Sequence, residues 1–250
     1  MNLLGEDYLM DLTSYMEGSD FEKAISAGMA AFAKSFASDG TSWYYIPSQP
    51  FVGTIYYNKA IFAEAGIDAM PTTWSEFMDV CQKIKDAGFY VIGRLTTFND
   101  SFFVSDHPEY AISDAAGDPL YIAGSYWPSA FCRYVWEYKV ELAKEAVALF
   151  GFNEIQFDYV RFPDGTYDYE EDGNIDYRNE YDETKAQAIQ RFLMYACDEL
   201  HDCGVYVSAD VFGETSGSYV TAYGQYWPAI SNVVDVISGC LLYTSPSPRD

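Results

Sequence analysis

The sequence predicts an α/β protein with parallel strand pairing. Three observations carry that expectation: short apolar runs of strand type, amphipathic helical stretches between them, and glycines placed where each helix should stop. The runs are YVIGRL at 90–95, EIQFDYV at 154–160, VYVSADVF at 205–212 and VVDVIS at 233–238. Their apolar character runs nearly unbroken, as expected of strands buried on both faces.

Taken in chain order, residues 21–36 have helical periodicity. YYIPSQPFVGTIYYN follows as extended segments broken by Pro47 and Pro50. NKAIFAEAG predicts a short helix capped by Asn58 and stopped at Gly66. TTWSEFMDVCQKIKDAG carries a capping box, Thr73 to Glu76, with Phe77, Val80, Ile84 and Ala87 at helical spacing and Gly88 as terminator. After the first run, a polar and aromatic stretch leads to a helix near 134–150. Val135, Tyr138, Leu142, Ala146 and Leu149 are its expected inner face, and Gly151 ends it. An acidic loop reaches about residue 182, and ETKAQAIQRFLMYACDELHDC then forms a helix closed by Gly204.

With 250 residues the chain is long enough for a real core, as one large domain or two small ones. A net charge of −24 opposes binding to nucleic acid or anionic lipid, and it suits a neutral ligand such as a sugar. Aromatics reach 18%, which fits either a ring-rich core or a surface on which sugar faces stack. Five cysteines with no CxxC pair, and only two histidines, make a zinc site unexpected, and the odd count argues against a disulfide framework. No apolar run is long enough for a membrane span, and the first residues lack the order of a signal peptide.

The blocks FYVIGRLTTFND, FNEIQFDYVRFPDG, NEYDETKAQAIQRF and GVYVSADVFG resemble a glycoside hydrolase family with a TIM-type (β/α)8 barrel, over about 89–239. The order IPSQPFVGTIYYNKAIFAEAGIDAMPTTWSEFMDVCQKIKDAG, within residues 1–88, resembles extracellular solute-binding proteins of sugar ABC importers. CLLYTSPSPRD, residues 240–250, is identical to a translated sequencing adapter. The resemblances imply a partial barrel joined to a partial periplasmic-binding-protein-like fragment. With no linker near residue 88, a misassembled sequence is expected rather than a natural fusion. They also imply a carbohydrate ligand, an extracytoplasmic setting and, for the intact parent of residues 1–88, an ABC permease as partner. For the chain as given, open sheet edges and little or no activity are expected.

A parallel barrel places its chemistry at the C-terminal ends of its strands. There Asp158 is the candidate nucleophile or stabiliser, Asp210 the candidate acid and Glu214 the alternative acid. If their strands are adjacent, the two aspartates stand near the about 5–5.5 Å expected of a retaining glycosidase. Either aspartate would otherwise cap the loop or helix that follows. Arg161 is expected to hold Asp158 ionised, or else to make a structural ion pair. Gln156 shares the face of Asp158 by the strand period, and Arg94 is a further pocket candidate. Tyr126 and Trp127 are candidates for a sugar platform, whereas Trp136, Tyr159 and Trp227 read as structural. In the first segment Trp43, Tyr44 and Tyr56 are candidate sugar contacts.

No cofactor is expected. One weak calcium pattern, Asp168, Glu170, Asp172, Asn174 and Asp176, echoes an EF-hand loop, but Asn179 replaces the twelfth-position Glu and no helix precedes it. A solvated acidic loop is the better reading.

Overall fold

The computed structural model describes residues 8–47 and 57–240. The chain divides into two compact units, Met1–Phe62 and Ala63–Asp250.

In the first unit, α1 (Thr13–Met16), α2 (Asp20–Ala24) and α3 (Ala27–Lys34) surround a small core of Met16, Ala33 and Trp43. The single helix expected over 21–36 is divided, because Ile25 is extended and the Ser26 hydroxyl accepts from Met29 N at 3.2 Å to start α3 anew. Trp43 is fully enclosed, and its backbone N–H donates to Thr13 Oγ1 at 2.9 Å. It is a core residue, not the sugar contact expected. Tyr44 is half-buried. Tyr56, most of the proline-broken segment before it, and residues 241–250 of the tail lie outside the described residues.

α4 (Lys59–Glu64) is capped by Asn58, whose Oδ1 accepts from Ala60 N at 2.9 Å. α5 (Trp74–Asp86) shows the full capping box between Thr73 and Glu76. The Lys85 ammonium donates to Phe150 O at 2.7 Å, satisfying a terminal carbonyl of α7 (Arg133–Phe150).

The architectural centre of the second unit is a four-stranded parallel sheet. Its strands are β1 (Ile92–Thr96), β4 (Glu154–Asp158), β5 (Tyr206–Phe212) and β6 (Val236–Cys240), neighbours in that order. A small hairpin of β2 (Tyr121–Ile122) and β3 (Ser125–Tyr126) interrupts the β1-to-β4 connection. α6 (Ser101–Asp106) lies in that same connection, and α8 (Tyr167–Glu171) follows β4. The crossovers are α7, α9 (Lys185–His201) and α10 (Trp227–Ser231), which pack on the sheet and on one another. Parallel strands standing in chain order, without a switch point, are the arrangement of consecutive units of a (β/α)8 barrel. Among the described residues the sheet is open, with β1 and β6 as its edges.

The pleat sorts each strand into two faces. Ile155, Phe157, Val207, Ala209 and Val211 are buried beneath the helices, where they meet Phe192, Leu193 and Val140 in one continuous core. The opposite face carries Arg94, Gln156, Asp158, Ser208 and Asp210. Toward the N-terminal ends of the strands this second face is more apolar, with Ile92, Tyr206 and Val236 exposed around a buried Glu154 that accepts from the Tyr90 hydroxyl.

Two expectations change in detail. The buried stripe of α7 is Val135, Trp136, Lys139, Val140 and Ala143, while Tyr138, Leu142 and Leu149 stand exposed. Lys139 can lie inside because its ammonium bonds Asp100 Oδ2 at 2.5 Å. The last strand starts later than VVDVIS implied, because Val233 N and Val234 N bond back to Ile230 O and finish the turn after α10.

Candidate functional site

Asp158 ends β4, and Asp210 lies on β5 one residue beyond the Phe157–Ala209 pair. Adjacent parallel strands in register point both carboxylates to the same side. Arg94, on the neighbouring β1, reaches over the sheet and bonds both: Nη2 to Asp158 Oδ2 at 2.5 Å and Nε to Asp210 Oδ2 at 3.2 Å. The carboxylates are largely enclosed, with 17% and 21% side-chain exposure, while Arg94 is 62% exposed and covers them. Asp158 Oδ1 also accepts from Tyr159 N at 2.8 Å.

These groups line a cleft of about 410 Å³ at the C-terminal end of the sheet. Tyr159 and Arg161 form part of its wall, as do Phe212 and Gln225. Tyr159 has φ of +51°, a left-handed conformation uncommon outside glycine, which turns the chain sharply just after Asp158. Tyr159 was expected to be structural, pointing away from Asp158. It packs on the core and lines the cleft as well.

Arg161 does not hold Asp158. Its Nη1 pairs with Asp164 Oδ2 at 3.0 Å and donates to Phe162 O at 2.9 Å. Its guanidinium sits among rings, 4.7 Å from the centroid of Phe212 and 5.1 Å from that of Trp127. The role expected of Arg161 belongs to Arg94, because strand register decides which guanidinium meets which carboxylate. Gln156 stands one pleat below Asp158 on the same face, half-buried.

Glu214 is exposed on a short 3₁₀ turn, Gly213–Ser216, and its Oε1 accepts from the Tyr223 hydroxyl. Burial, reinforced by that carboxylate, pushes the Tyr223 hydroxyl above its ordinary pKa. The expected platform separates into two different residues. Trp127 is buried, with its indole N–H spent on Ile122 O at 2.9 Å, so it packs the core and offers no sugar surface. Tyr126 is exposed on β3, edge-on to Tyr121 with ring centres 5.2 Å apart. Trp136 is buried and Trp227 half-buried, both packed in the core as the sequence implied.

The calcium pattern does not assemble. Glu170 lies inside α8 and bonds Lys185 Nζ at 2.7 Å and the Tyr177 hydroxyl at 2.5 Å. Asn174 Oδ1 accepts from Ala115 N, and Asp176 Oδ1 from Arg178 N. Asp172 caps α8 and Asp168 sits in its first turn. A helix thus runs through the residues that an ion would need to gather, and among the described residues no group of three or more His, Cys, Asp or Glu could hold a metal. Cys81, Cys132, Cys197 and Cys203 are free thiols. No helix among the described residues is long and apolar enough to cross a membrane.

Residues 51–247 match the family described as "Putative glycosyl hydrolase domain". The chain belongs to that family. A crystal structure of a hypothetical protein from Ruminiclostridium thermocellum ATCC 27405 is 31% identical, over 64% of this chain and 77% of that one, with a TM-score of 0.46. The maltogenic alpha-amylase AmyB of Thermotoga neapolitana aligns at 12% identity over 67% of this chain and 32% of its own, with a TM-score of 0.44. Two curated relatives are of another kind. The "Putative ABC transporter periplasmic-binding protein YcjN" of Escherichia coli (strain K12) is 30% identical over 79 residues, 31% of this chain. The sn-glycerol-3-phosphate-binding periplasmic protein UgpB of Agrobacterium fabrum is 40% identical over 76 residues, 29% of this chain. The chain spans 18% and 16% of the length of these two proteins.

Proposed function

We propose that the cleft cleaves a glycosidic bond of an oligo- or polysaccharide, with Asp158 as nucleophile or stabiliser and Asp210 as proton donor. The observation that carries this reading is the shared grip of Arg94 on both carboxylates. That grip brings the two carboxyl groups to the same side of one cleft. Acid-assisted acetal cleavage needs that same arrangement, one anion to meet the anomeric carbon and one acid to release the leaving oxygen. Asp158 has the shorter contact with Arg94 and a backbone N–H as well, which suits the anionic role. Asp210, on the longer contact, suits the acid. Glu214 is the alternative acid. Gln156, Arg161 and Tyr126 are the sugar contacts of this proposal.

The test offers a panel of oligo- and polysaccharides to the whole chain and to an intact member of the family, each beside its Asp158→Asn counterpart. In the intact family member turnover should fall by about 10²–10⁴-fold, and the chain as given should show little or none in either form. Unchanged turnover in the Asn variants would remove Asp158 from the mechanism. Binding without turnover in the intact enzyme would leave a non-catalytic polysaccharide-binding barrel.

The two curated matches favour a second reading for residues 1–88: a piece of an extracytoplasmic sugar-binding protein that serves an ABC permease. Under this reading 89–239 is the barrel segment, 240–250 is adapter-derived, and the parents of both segments work outside the cytoplasm. Sequencing reads that run continuously across the codons for Lys85 to Tyr90 would instead establish a genuine fusion.

A further inference from the structure

Gln225 lies beyond β5 in the chain, in the turn before α10, and is 1% exposed in the wall of the cleft. Every hydrogen-bonding position of its side-chain amide is used. Nε2 donates to Val160 O at 3.4 Å and to Asp210 O at 3.3 Å. Oε1 accepts from Phe212 N at 3.0 Å and from Thr215 Oγ1 at 3.2 Å. The partners fix the orientation of the amide, because reversing it would set its carbonyl against two other carbonyls.

These four contacts join the chain just after β4, the end of β5 and the turn that carries Glu214. The two bonds to β5 flank Val211, just after Asp210: one goes to the Asp210 carbonyl, the other comes from the Phe212 N–H. The β4–β5 ladder stops at Phe157–Ala209, so on the β4 side Asp210 lies one residue beyond the last pairing, while on the other side β6 pairs with β5 as far as Phe212.

Gln225 is itself held firmly. Gln225 N donates to Thr221 Oγ1 at 2.8 Å, and Thr221 donates back to Gln225 O through both its N–H and its hydroxyl. Gly224 completes the turn with φ of +86°, and a Cβ there would come within 2.8 Å of Lys185 Cβ. A buried, fully satisfied amide on a locked turn is a rigid strut.

We infer that Gln225 is a positioning residue that fixes the Asp210 carboxyl in reach of Arg94 by pinning the end of β5 to the end of β4. The inference builds on the proposed catalytic roles, but it concerns geometry that is measurable without turnover. Gln225 touches neither carboxylate, so it acts through the backbone alone.

The direct readout is the Arg94 Nε–H resonance, observed by 15N NMR on the whole chain. Its bond to Asp210 Oδ2 protects that proton from exchange with water. In Gln225→Met the strut loses all four bonds, and exchange at Arg94 Nε should quicken at least about tenfold, which corresponds to 1.4 kcal/mol of lost protection. Gln225→Glu keeps the shape but sets an anion against the carbonyls of Val160 and Asp210. Exchange in that variant should be fast when the new carboxyl is ionised and slow again at acid pH, where its hydroxyl restores one donor. Exchange is read as a ratio to wild type at the same pH with the urea midpoint followed in parallel, because a role in general stability alone would move the two together. If Gln225→Met fails to fold, Gln225→Glu decides. Arg94 exchange equal to wild type in a folded variant, at every pH, overturns the inference. Absence of turnover by the intact family member on all glycans, with Arg94 exchange altered as expected, would overturn the glycosidase reading and leave the strut standing.

Discussion

Arg94 on β1 reaches Asp210 on β5 across the whole width of the intervening strand β4, with Nε 3.2 Å from Oδ2. On the way its Nη2 bonds Asp158 on β4 itself. One guanidinium therefore ties three consecutive strands at the end where a barrel keeps its chemistry. A planar fork with fixed N–H directions holds the two carboxylates in one set geometry, which a flexible ammonium does not impose.

Arg94→Lys should therefore retain the positive charge and lose the geometry. Turnover is expected to fall by about 10²-fold, the scale of a small misplacement of a reacting group. Because Arg94 is mostly exposed, unfolding free energy should stay within about 0.5 kcal/mol of wild type. Denaturant melts alongside glycan turnover would check both halves, and an equal loss in the two would show that Arg94 serves the fold instead.

Much of this arrangement was legible in the sequence, and the limits of legibility have a physical pattern. The capping box at Thr73, the glycine terminators at Gly88, Gly151 and Gly204, and the placing of Asp158 and Asp210 toward strand ends depend on near neighbours in the chain. The partner of Asp158 depends on register between strands 64 residues apart, so sequence proximity pointed to Arg161 while the sheet supplied Arg94. Trp127 misled for a similar reason. GSYWPS is polar by composition, yet its hairpin folds inward and gives the indole a carbonyl to bond. Gln225 showed no local sign at all, since its four partners come from three separate segments. On α7, Tyr138, Leu142 and Leu149 have the spacing of an inner face, but the side that holds Trp136 and Val140 is the one the sheet and α9 cover.

Trp127 and Tyr126 are consecutive residues with opposite environments, which makes them a controlled pair. Trp127→Ala empties a site at the centre of the core and should cost about 3–5 kcal/mol of stability. Tyr126→Ala removes an exposed ring and should cost no more than about 0.5 kcal/mol. If Tyr126 stacks on sugar, its loss should raise KM with kcat preserved. Chemical denaturation and steady-state kinetics separate the two, and a large stability loss in Tyr126→Ala would contradict the exposed assignment.

Lys139 and Asp100 form an unequal pair. Burial pushes the Lys139 ammonium below its ordinary pKa, against the opposing pull of Asp100. Only Asp100 keeps some exposure, and it also caps α6 by accepting from Phe103 N at 2.9 Å. Asp100→Ala should strand a buried charge and cost about 3–5 kcal/mol, whereas Lys139→Met should be far milder. Equal destabilisation by the two, measured in urea, would show that the cap matters less than the pair.

Asp235 supplies a pH signature in the same unit. Burial alone would raise its pKa, but the His201 ring at 2.8 Å and the Val207 N–H at 2.8 Å outweigh that and hold it below the ordinary carboxylate range. The unfolded chain then binds a proton more readily than the folded one. The stabilisation is complete above the unfolded value of about 3.9 and is lost as pH falls through the lower folded value. Asp235→Asn keeps a polar group of the same size but removes the titration, so melting temperature should fall less steeply below about pH 4 than in wild type. The contrast must be confined to that acid window. A matching divergence near neutral pH would instead show that the effect does not come from the Asp235 carboxyl.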